Sequence, residues 1–201
     1  HVMRGVFFDR DQDESVSVEK LRVQRALQVI AVIDDRALEL VDGSFFKKPV
    51  VLTYHSVSDG MTPISVTVDR FRQQMAFLKE IGADVLNLKE FLQNKKRGVL
   101  ITFDDAFEDV LLNALPVLQE RNLPAAVFIN PSLLGKKAEF ATLPKDRERD
   151  ICSLSQLKQL EVGGVTIANH GYTHRQLSGL GEDEICSEFE QAGVFIKDNF
   201  T

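Results

Sequence analysis

The chain has 201 residues, which is enough for one domain, or for one domain and an additional arm. Apolar residues make up 44% of the chain and charged residues 27%, an ordinary globular composition that can supply a hydrophobic core. Acidic residues outnumber basic ones by 30 to 24, so the basic character typical of nucleic-acid-binding proteins is absent. No stretch of about 18 uncharged apolar residues occurs, so we expect no membrane span.

Residues 1–48 differ in pattern from the rest of the chain, and we predict an N-terminal arm or the tail of a neighbouring domain. The acidic run from Asp9 to Asp13 is similar to the D-x-D signature of haloacid-dehalogenase-type phosphatases and to calcium loops with alternating acids. A calcium loop requires glycine after the third acid, where this chain has Glu14. The simplest interpretation is a solvated acidic turn.

Residues 49–201 alternate between strand-like and helix-like patterns. Short apolar runs predict five strands, at residues 50–54, 85–86, 98–103, 124–129 and 165–168. Between the first two strands, apolar residues at helical spacing predict a helix that Thr67 caps and Gly82 ends. A second, short helix is expected at residues 88–95.

The second half of the chain contains three further predicted helices. Residues 110–121 have a helical pattern, although Pro116 should kink or shorten the helix. Either Ser153 or Ser155 begins a short helix, and residues 181–197 form the last one, with an apolar face of Ile185, Phe189, Ala192 and Ile196. Residues 136–150 are polar and charged, which predicts a surface excursion.

This alternation predicts an α/β fold with a parallel sheet, either open or curled into a barrel. A complete eight-stranded barrel needs about 250 residues, so we expect only part of one, incomplete at its C-terminus.

Five residues with metal-binding or acid–base side chains follow predicted strands directly. His55 follows the first strand, Asp104 and Asp105 the third, and His170 and His174 the fifth. Because the carboxyl ends of parallel strands share one edge of a sheet, these residues should converge at one rim.

The residue types at this rim fit a catalytic metal site. Two histidines four residues apart can bind one ion, an aspartate oxygen is a suitable third ligand, and a second aspartate beside the remaining position can act as a general base. The competing interpretation is that His170 is a packed loop residue and that the two aspartates cap the following helix.

Two motifs carry a family resemblance. The sequences Thr102-Phe103-Asp104-Asp105 and His170-Gly171-Tyr172-Thr173-His174, in this order and separation, resemble the first two motifs of the polysaccharide deacetylases, the NodB-homology or carbohydrate esterase 4 group. The resemblance extends over about residues 49–192 and includes the segment Val51 to His55.

The resemblance implies a deformed (β/α) barrel of NodB type over residues 49–201. It also implies a hydrolase that removes N-acetyl or O-acetyl groups from a polysaccharide by attack of metal-bound water. Asp104 would be the catalytic base, and Asp105, His170 and His174 would bind a divalent metal, with zinc the expected ion. The implied partner is an acetylated polysaccharide or amino-sugar oligomer. The resemblance also implies a location outside the cytoplasm, in the periplasm or at the cell surface.

The sequence departs from the family pattern at three places. Ala106 replaces a frequent glycine, Gly171 replaces a frequent serine or threonine, and no third motif with an arginine and an aromatic-proline pair occurs before Thr201. An alternative function is therefore a non-catalytic carbohydrate-binding or interaction module on a deacetylase scaffold.

His55 is the candidate for the acid that protonates the departing amine. In family members that resemble a circular permutation, such as the biofilm poly-N-acetylglucosamine deacetylases, the late histidine motif precedes the Asp-Asp pair, as His55 does here. The alternative is that His55 only holds the first loop through hydrogen bonds.

Overall fold

The computed structural model describes residues 49–60, 62–93 and 97–201. The predicted arm and the acidic run at Asp9 to Asp13 lie outside the described residues. The domain boundary at Pro49 therefore stays a prediction.

A four-stranded parallel sheet forms the centre of the described chain. Its strands are β1 (Pro49–Tyr54), β4 (Gly98–Asp104), β5 (Ala125–Ile129) and β6 (Val165–Asn169), which lie side by side in that order. Two shorter strands, β2 (Ser56–Val57) and β3 (Ser65–Val66), pair separately with each other. Four of the five predicted strands and the parallel α/β architecture are thus confirmed.

The prediction of the remaining strand, at residues 85–86, is wrong. Val85 makes only an isolated parallel bridge to Val99. The chain cannot continue the ladder because Asn87 starts the next helix: its side-chain oxygen accepts a hydrogen bond from the Glu90 amide, and the Glu90 carboxylate accepts one from the Asn87 amide. This reciprocal cap fixes the start of helix α2 (Leu88–Gln93).

The helices begin at the predicted capping residues. Helix α1 (Val68–Glu80) is capped by Thr67, whose hydroxyl accepts from the Arg70 amide. Of the two serines considered for the next cap, the structure selects Ser153, which forms a capping box with Gln156 at the start of a nine-residue helix. That helix is α5 (Leu154–Val162), and the last helix is α6 (Glu182–Asn199).

Pro116 shapes the segment that follows β4. Residues Val110–Ala114 form a π-helical turn that leads into the α-helix α3 (Leu115–Glu120), in which Pro116 occupies the first turn. Proline has no amide proton and its ring crowds the carbonyl group four residues earlier, so a regular helix cannot pass through this point. The wider π turn accommodates the ring, and a proline in the first turn of α3 costs no hydrogen bond.

Residues 136–151, which we call the 136–151 segment, include the predicted surface excursion at residues 136–150: most of its residues are exposed, but the segment is anchored to the rest of the fold. The segment pairs with itself and with the loop after β4 through antiparallel bridges at Lys137–Asp150 and Phe107–Ile151. Ala138, Ala141 and Asp146 within it are buried, and it contains a short helix α4 (Pro144–Arg147). The segment therefore has a charged, exposed surface, and a few buried residues and two bridges hold it to the fold.

Side chains of the sheet are buried on both faces, as expected for parallel strands between helices. Below the carboxyl ends of β1 and β4, the rings of Tyr54, Phe71 and Phe103 pack together with centroids 5.2 to 5.8 Å apart. Tyr54 precedes His55 and Phe103 precedes Asp104, so this aromatic cluster lies directly beneath the predicted site residues.

The four main strands form an open sheet in the part of the chain that the structure describes, so the closure of a deformed barrel stays a prediction. None of the described helices is both long enough and apolar enough to cross a membrane.

Candidate active site

The register of the sheet brings the five predicted site residues to one edge. Tyr54 of β1 lies opposite Phe103 of β4, so the next residues, His55 and Asp104, lie at the same level of the sheet. On the other side, Ile129 pairs with Asn169, and the His170 amide donates to the Ile129 carbonyl at 3.0 Å. Sequence analysis predicted this convergence because these residues directly follow predicted strands of a parallel sheet.

Asp105, His170 and His174 form the centre of the site. One potential ligand atom from each lies within 4.8 Å of the other two. The Nε2 atoms of His170 and His174 are 3.4 and 3.1 Å from Oδ1 of Asp105, whose side chain is 6% exposed. Two ligands of a tetrahedral zinc ion are about 3.4 Å apart, because Zn–N and Zn–O bonds are roughly 2.0–2.2 Å long.

The hydrogen bonding of Asp105 also fits a bound cation. Its Oδ1 atom is buried and has no correctly aligned hydrogen-bond partner, although two imidazole nitrogens face it. A buried carboxylate oxygen without a partner is costly, and a cation between the three ligand atoms removes that cost. The residues present therefore fit a divalent metal.

The two adjacent carboxyl groups have opposite electrostatic environments. Burial raises the pKa of Asp104, and the nearby charges of His170 and His55 oppose this shift without cancelling it. Burial alone would also raise the pKa of Asp105, but His170 and His174 beside its carboxylate bring it below the usual range. For His170, burial lowers the pKa, yet the carboxylates of Asp105 and Asp104 outweigh burial and raise it.

Backbone conformation bears on two departures from the family pattern: it accounts for glycine at position 171, and it strains alanine at position 106. Asp105 and Ala106 both have positive φ, at 68° and 55°, and a glycine at position 106 would adopt this left-handed conformation without strain. Gly171 has φ of 85°, where a serine or threonine side chain would be strained. Position 171 in the loop between the two histidines therefore favours glycine. Other residues support the loop in place of the serine or threonine hydroxyl that is frequent at this position.

Glu188 is the main support of this loop, and sequence analysis missed it. Its carboxylate accepts hydrogen bonds from the amides of Tyr172 and Thr173, at 2.9 and 2.8 Å, and from the Thr173 hydroxyl. Burial alone raises the pKa of Glu188, but these hydrogen bonds outweigh it and lower the pKa. The sequence did contain a signal for its burial, because Glu188 lies on the same side of the helix as Ile185 and Ala192. Phe189, which was predicted to lie on the buried face, is 40% exposed.

Asn130 and Asn169 hold the other end of the loop. The Asn130 amide nitrogen donates to the carbonyls of His170 and Gly171, at 2.7 and 3.1 Å, and Asn169 accepts from the Gly171 amide. Asn130 directly follows β5, so the rule that selected His55 and Asp104 would also have found it. The ring of Phe140 packs against that of His174, with the ring centroids 4.2 Å apart.

The sequence profile of the family described as "Polysaccharide deacetylase" matches residues 92–201, more than half of the chain. This chain belongs to the polysaccharide deacetylase family. The resemblance drawn from the two motifs is thereby confirmed.

Relatives and solved structures agree with the family. YxkH of Bacillus subtilis (strain 168) is 29% identical over 189 residues, which is 90% of this chain and 63% of YxkH. The poly-beta-1,6-N-acetyl-D-glucosamine N-deacetylase of Staphylococcus aureus (strain MSSA476) is 34% identical over 152 residues, 72% of this chain and 49% of that protein. IcaB from Ammonifex degensii shares the fold at a TM-score of 0.65 and 22% identity, over 76% of this chain and 70% of IcaB. The chain thus spans about half to two thirds of the length of these curated relatives.

In this deacetylase-family chain, the structure places the five predicted residues together but leaves their roles as predictions. Asp105, His170 and His174 form the compact cluster, and Asp104 and His55 lie close enough to interact through their charges. The two cysteines are separate free thiols, Cys152 buried and Cys186 exposed.

The support by Glu188 generates a prediction for metal affinity. Replacing Glu188 with alanine leaves the Tyr172 and Thr173 amides without their acceptor, so the histidine loop should lose its fixed geometry. We expect a loss of about 10- to 100-fold in zinc affinity, measured by competition with a chromophoric chelator. Glu190→Ala, which removes an exposed carboxylate from the same helix, is the control. Equal affinities for the two variants would show that Glu188 does not support the site.

Proposed function

We propose that this protein is a metal-dependent deacetylase that removes N-acetyl groups from an amino-sugar polysaccharide. The observation that carries the proposal is the convergence of Asp105, His170 and His174 around a buried carboxylate oxygen that has no hydrogen-bond partner. Membership of the polysaccharide deacetylase family supports the reaction class.

Zinc is the ion that this ligand set favours. Two imidazole nitrogens and one carboxylate oxygen are a typical three-residue set for catalytic zinc, in which a fourth position stays open. A divalent ion held there would act as a Lewis acid on the acetyl carbonyl and lower the pKa of water.

Asp104 is the proposed general base. It is the last residue of β4, adjacent to the ligand Asp105, so its carboxylate can take a proton from the attacking water. Burial raises the pKa of Asp104, which makes its carboxylate a stronger base than an exposed aspartate. The nearby charges of His170 and His55 oppose this rise in the pKa.

His55 is the proposed general acid. Hydrolysis breaks the bond between the acetyl carbon and the nitrogen, and the nitrogen must receive a proton because an amide anion is too basic to leave. His55 is half-buried directly after β1, near enough to Asp104 that its charge opposes the rise in the pKa of that carboxyl. The acetyl group leaves as acetate, and the sugar retains a free amine.

A cleft beside the two histidines supports a carbohydrate substrate. It has a volume of about 490 Å³, and its walls include Phe128, Phe189 and Arg175 together with His170 and His174. Aromatic faces suit the apolar faces of sugar rings, and a guanidinium group suits their hydroxyls. The name of the Staphylococcus aureus relative supports a β-linked N-acetylglucosamine polymer as the substrate class. We propose that the protein meets this polymer outside the cytoplasm, in the periplasm or at the cell surface.

The first prediction of this proposal concerns metal binding. The wild-type protein should bind about one equivalent of zinc, and His174→Ala should lose most of it, because only two of the three ligands remain. Elemental analysis after dialysis measures this, with His55→Ala as the control that retains the ion. Equal zinc content in wild type and His174→Ala would remove His174 from the site.

The second prediction separates the base from the ligands. Asp104→Asn preserves shape but cannot accept the proton, so acetate release from an N-acetylglucosamine oligomer should fall by about 100-fold or more. Zinc content and melting temperature should stay near wild type. Asp183→Asn, an exposed change in the first turn of α6, is the control. Near-normal turnover by Asp104→Asn would exclude Asp104 as the base.

The third prediction concerns His55. His55→Ala should lower turnover roughly 100-fold while zinc stays bound, and it should remove the fall in rate at alkaline pH, since that fall reports loss of the histidine proton. The pH–rate profile for acetate release measures both effects. A variant with an unchanged profile would return His55 to a structural role. If the wild-type protein binds the oligomer but releases no acetate, the non-catalytic binding module is the better description.

A further inference from the structure

The 136–151 segment contacts both sides of the candidate active site. On one side, Phe140 packs on the ring of His174 with the centroids 4.2 Å apart. On the other side, Arg149 extends toward β2 and β3, the short strands that follow His55. The contacts of Arg149 therefore hold the backbone that directly follows His55.

Arg149 uses all three guanidinium nitrogens in a partly buried network. Its Nε donates to Asp146 at 2.7 Å, and one terminal nitrogen contacts Asp109 at 3.2 Å. Both carboxylates are themselves enclosed, with side chains 2% exposed for Asp146 and 15% for Asp109. The same terminal nitrogen lies 2.9 and 2.7 Å from the hydroxyls of Ser56 and Ser58, so three acceptors share its two protons. The other terminal nitrogen donates to the Ser65 hydroxyl at 2.8 Å.

Ser56 links this network to His55. It is the next residue in the chain and is fully buried, and its hydroxyl accepts from Arg149 while donating to Asp109 at 2.6 Å. The Val57 amide donates to the other oxygen of Asp109 at 3.0 Å. The backbone that leaves His55 is therefore fixed by two charged side chains that lie far away in the sequence.

We propose that Arg149 is a positioning residue: together with Asp109 it fixes Ser56 and thereby orients the imidazole of His55 toward the reacting group. This inference rests on the proposed function, in which His55 is the proton donor. Arg149 touches neither the proposed metal ligands nor His55 in any described contact, so it acts through Ser56.

Arginine is required for this geometry. Its planar group presents five donors in a fixed fork, which can hold two carboxylates and three hydroxyls at once, whereas lysine has a single ammonium on a flexible stem. Other contacts hold the segment itself, including the buried Ala138 and Ala141 and the Lys137–Asp150 ion pair. Arg149 thus connects this segment to the residues directly after His55, and a hydrogen bond from the Thr62 hydroxyl to Asp146 joins the segment to the same region further along the chain.

A double-mutant cycle tests whether Arg149 acts through His55. In the intact zinc-loaded protein, Arg149→Gln should lower kcat for acetate release about 10- to 100-fold, with KM and zinc content nearly unchanged. In the His55→Ala background, Arg149→Gln should cause no further loss, because the group that it positions is already absent. Full additivity of the two losses would overturn the proposal.

A second readout does not depend on activity. Arg149→Gln should accelerate hydrogen exchange at the Val57 and Ser58 amides and shift the NMR signal of the His55 imidazole. Unchanged exchange and an unchanged His55 signal would overturn the proposal even if kcat fell. If the wild-type protein released no acetate, the proposed function would fail, whereas this readout would still decide whether Arg149 holds His55.

Two further variants guard against misfolding and charge effects. Ser56→Ala removes the hydroxyl between Arg149 and Asp109 but leaves their ion pair, so it should reproduce a smaller version of both effects. It carries the test if Arg149→Gln fails to fold. The matched control is Arg147→Gln, which removes the same charge from an exposed arginine whose Nε donates to the Ala141 carbonyl within the segment. A loss in Arg147→Gln equal to that in Arg149→Gln would also contradict the proposal.

Discussion

The parallel register of β1, β4, β5 and β6 is the constraint on which the rest of the structure depends. Parallel hydrogen bonding aligns the carboxyl ends of these strands, so the residues that follow them arrive at one rim regardless of their distance in the chain. The register of Tyr54 with Phe103 and of Ile129 with Asn169 sets the height at which each side chain emerges. A shift of one residue in either pairing would turn the rim residues to the opposite face. The caps and loop supports described above hold side chains that the sheet has already brought together.

Much of this arrangement follows from local sequence. Short apolar runs predicted four strands nearly to their ends, and a capping threonine or serine with helical spacing predicted α1 and α5. The site itself was predictable because its residues obey one topological rule, that polar groups directly after parallel strands meet at one edge. Where a local signal failed, as at Val85, a stronger local signal two residues later explains the failure, since Asn87 caps a helix before the strand can extend.

The residues that sequence analysis missed act over long distances. Glu188 supports a loop that ends fourteen positions earlier, and its burial is decided by the docking of α6 rather than by its own neighbours. Arg149 is one charged residue in a polar stretch, and nothing in that stretch distinguishes it from Arg147, which is exposed. Hydrogen-bond partners of this kind depend on tertiary packing, and a single sequence contains no periodic pattern that predicts them.

The distribution of the three proposed metal ligands has a consequence for folding. Asp105 precedes His170 by 65 positions and His174 by 69, and the histidine loop needs α6 in place to keep its shape. An unfolded chain therefore presents at most the two histidines together, and a cation would bind almost exclusively to the native state. By mass action, an ion at 100 times its dissociation constant adds about 2.7 kcal/mol to the free energy of unfolding. The concentration of free metal around such a protein would then affect its resistance to unfolding as well as its catalytic activity.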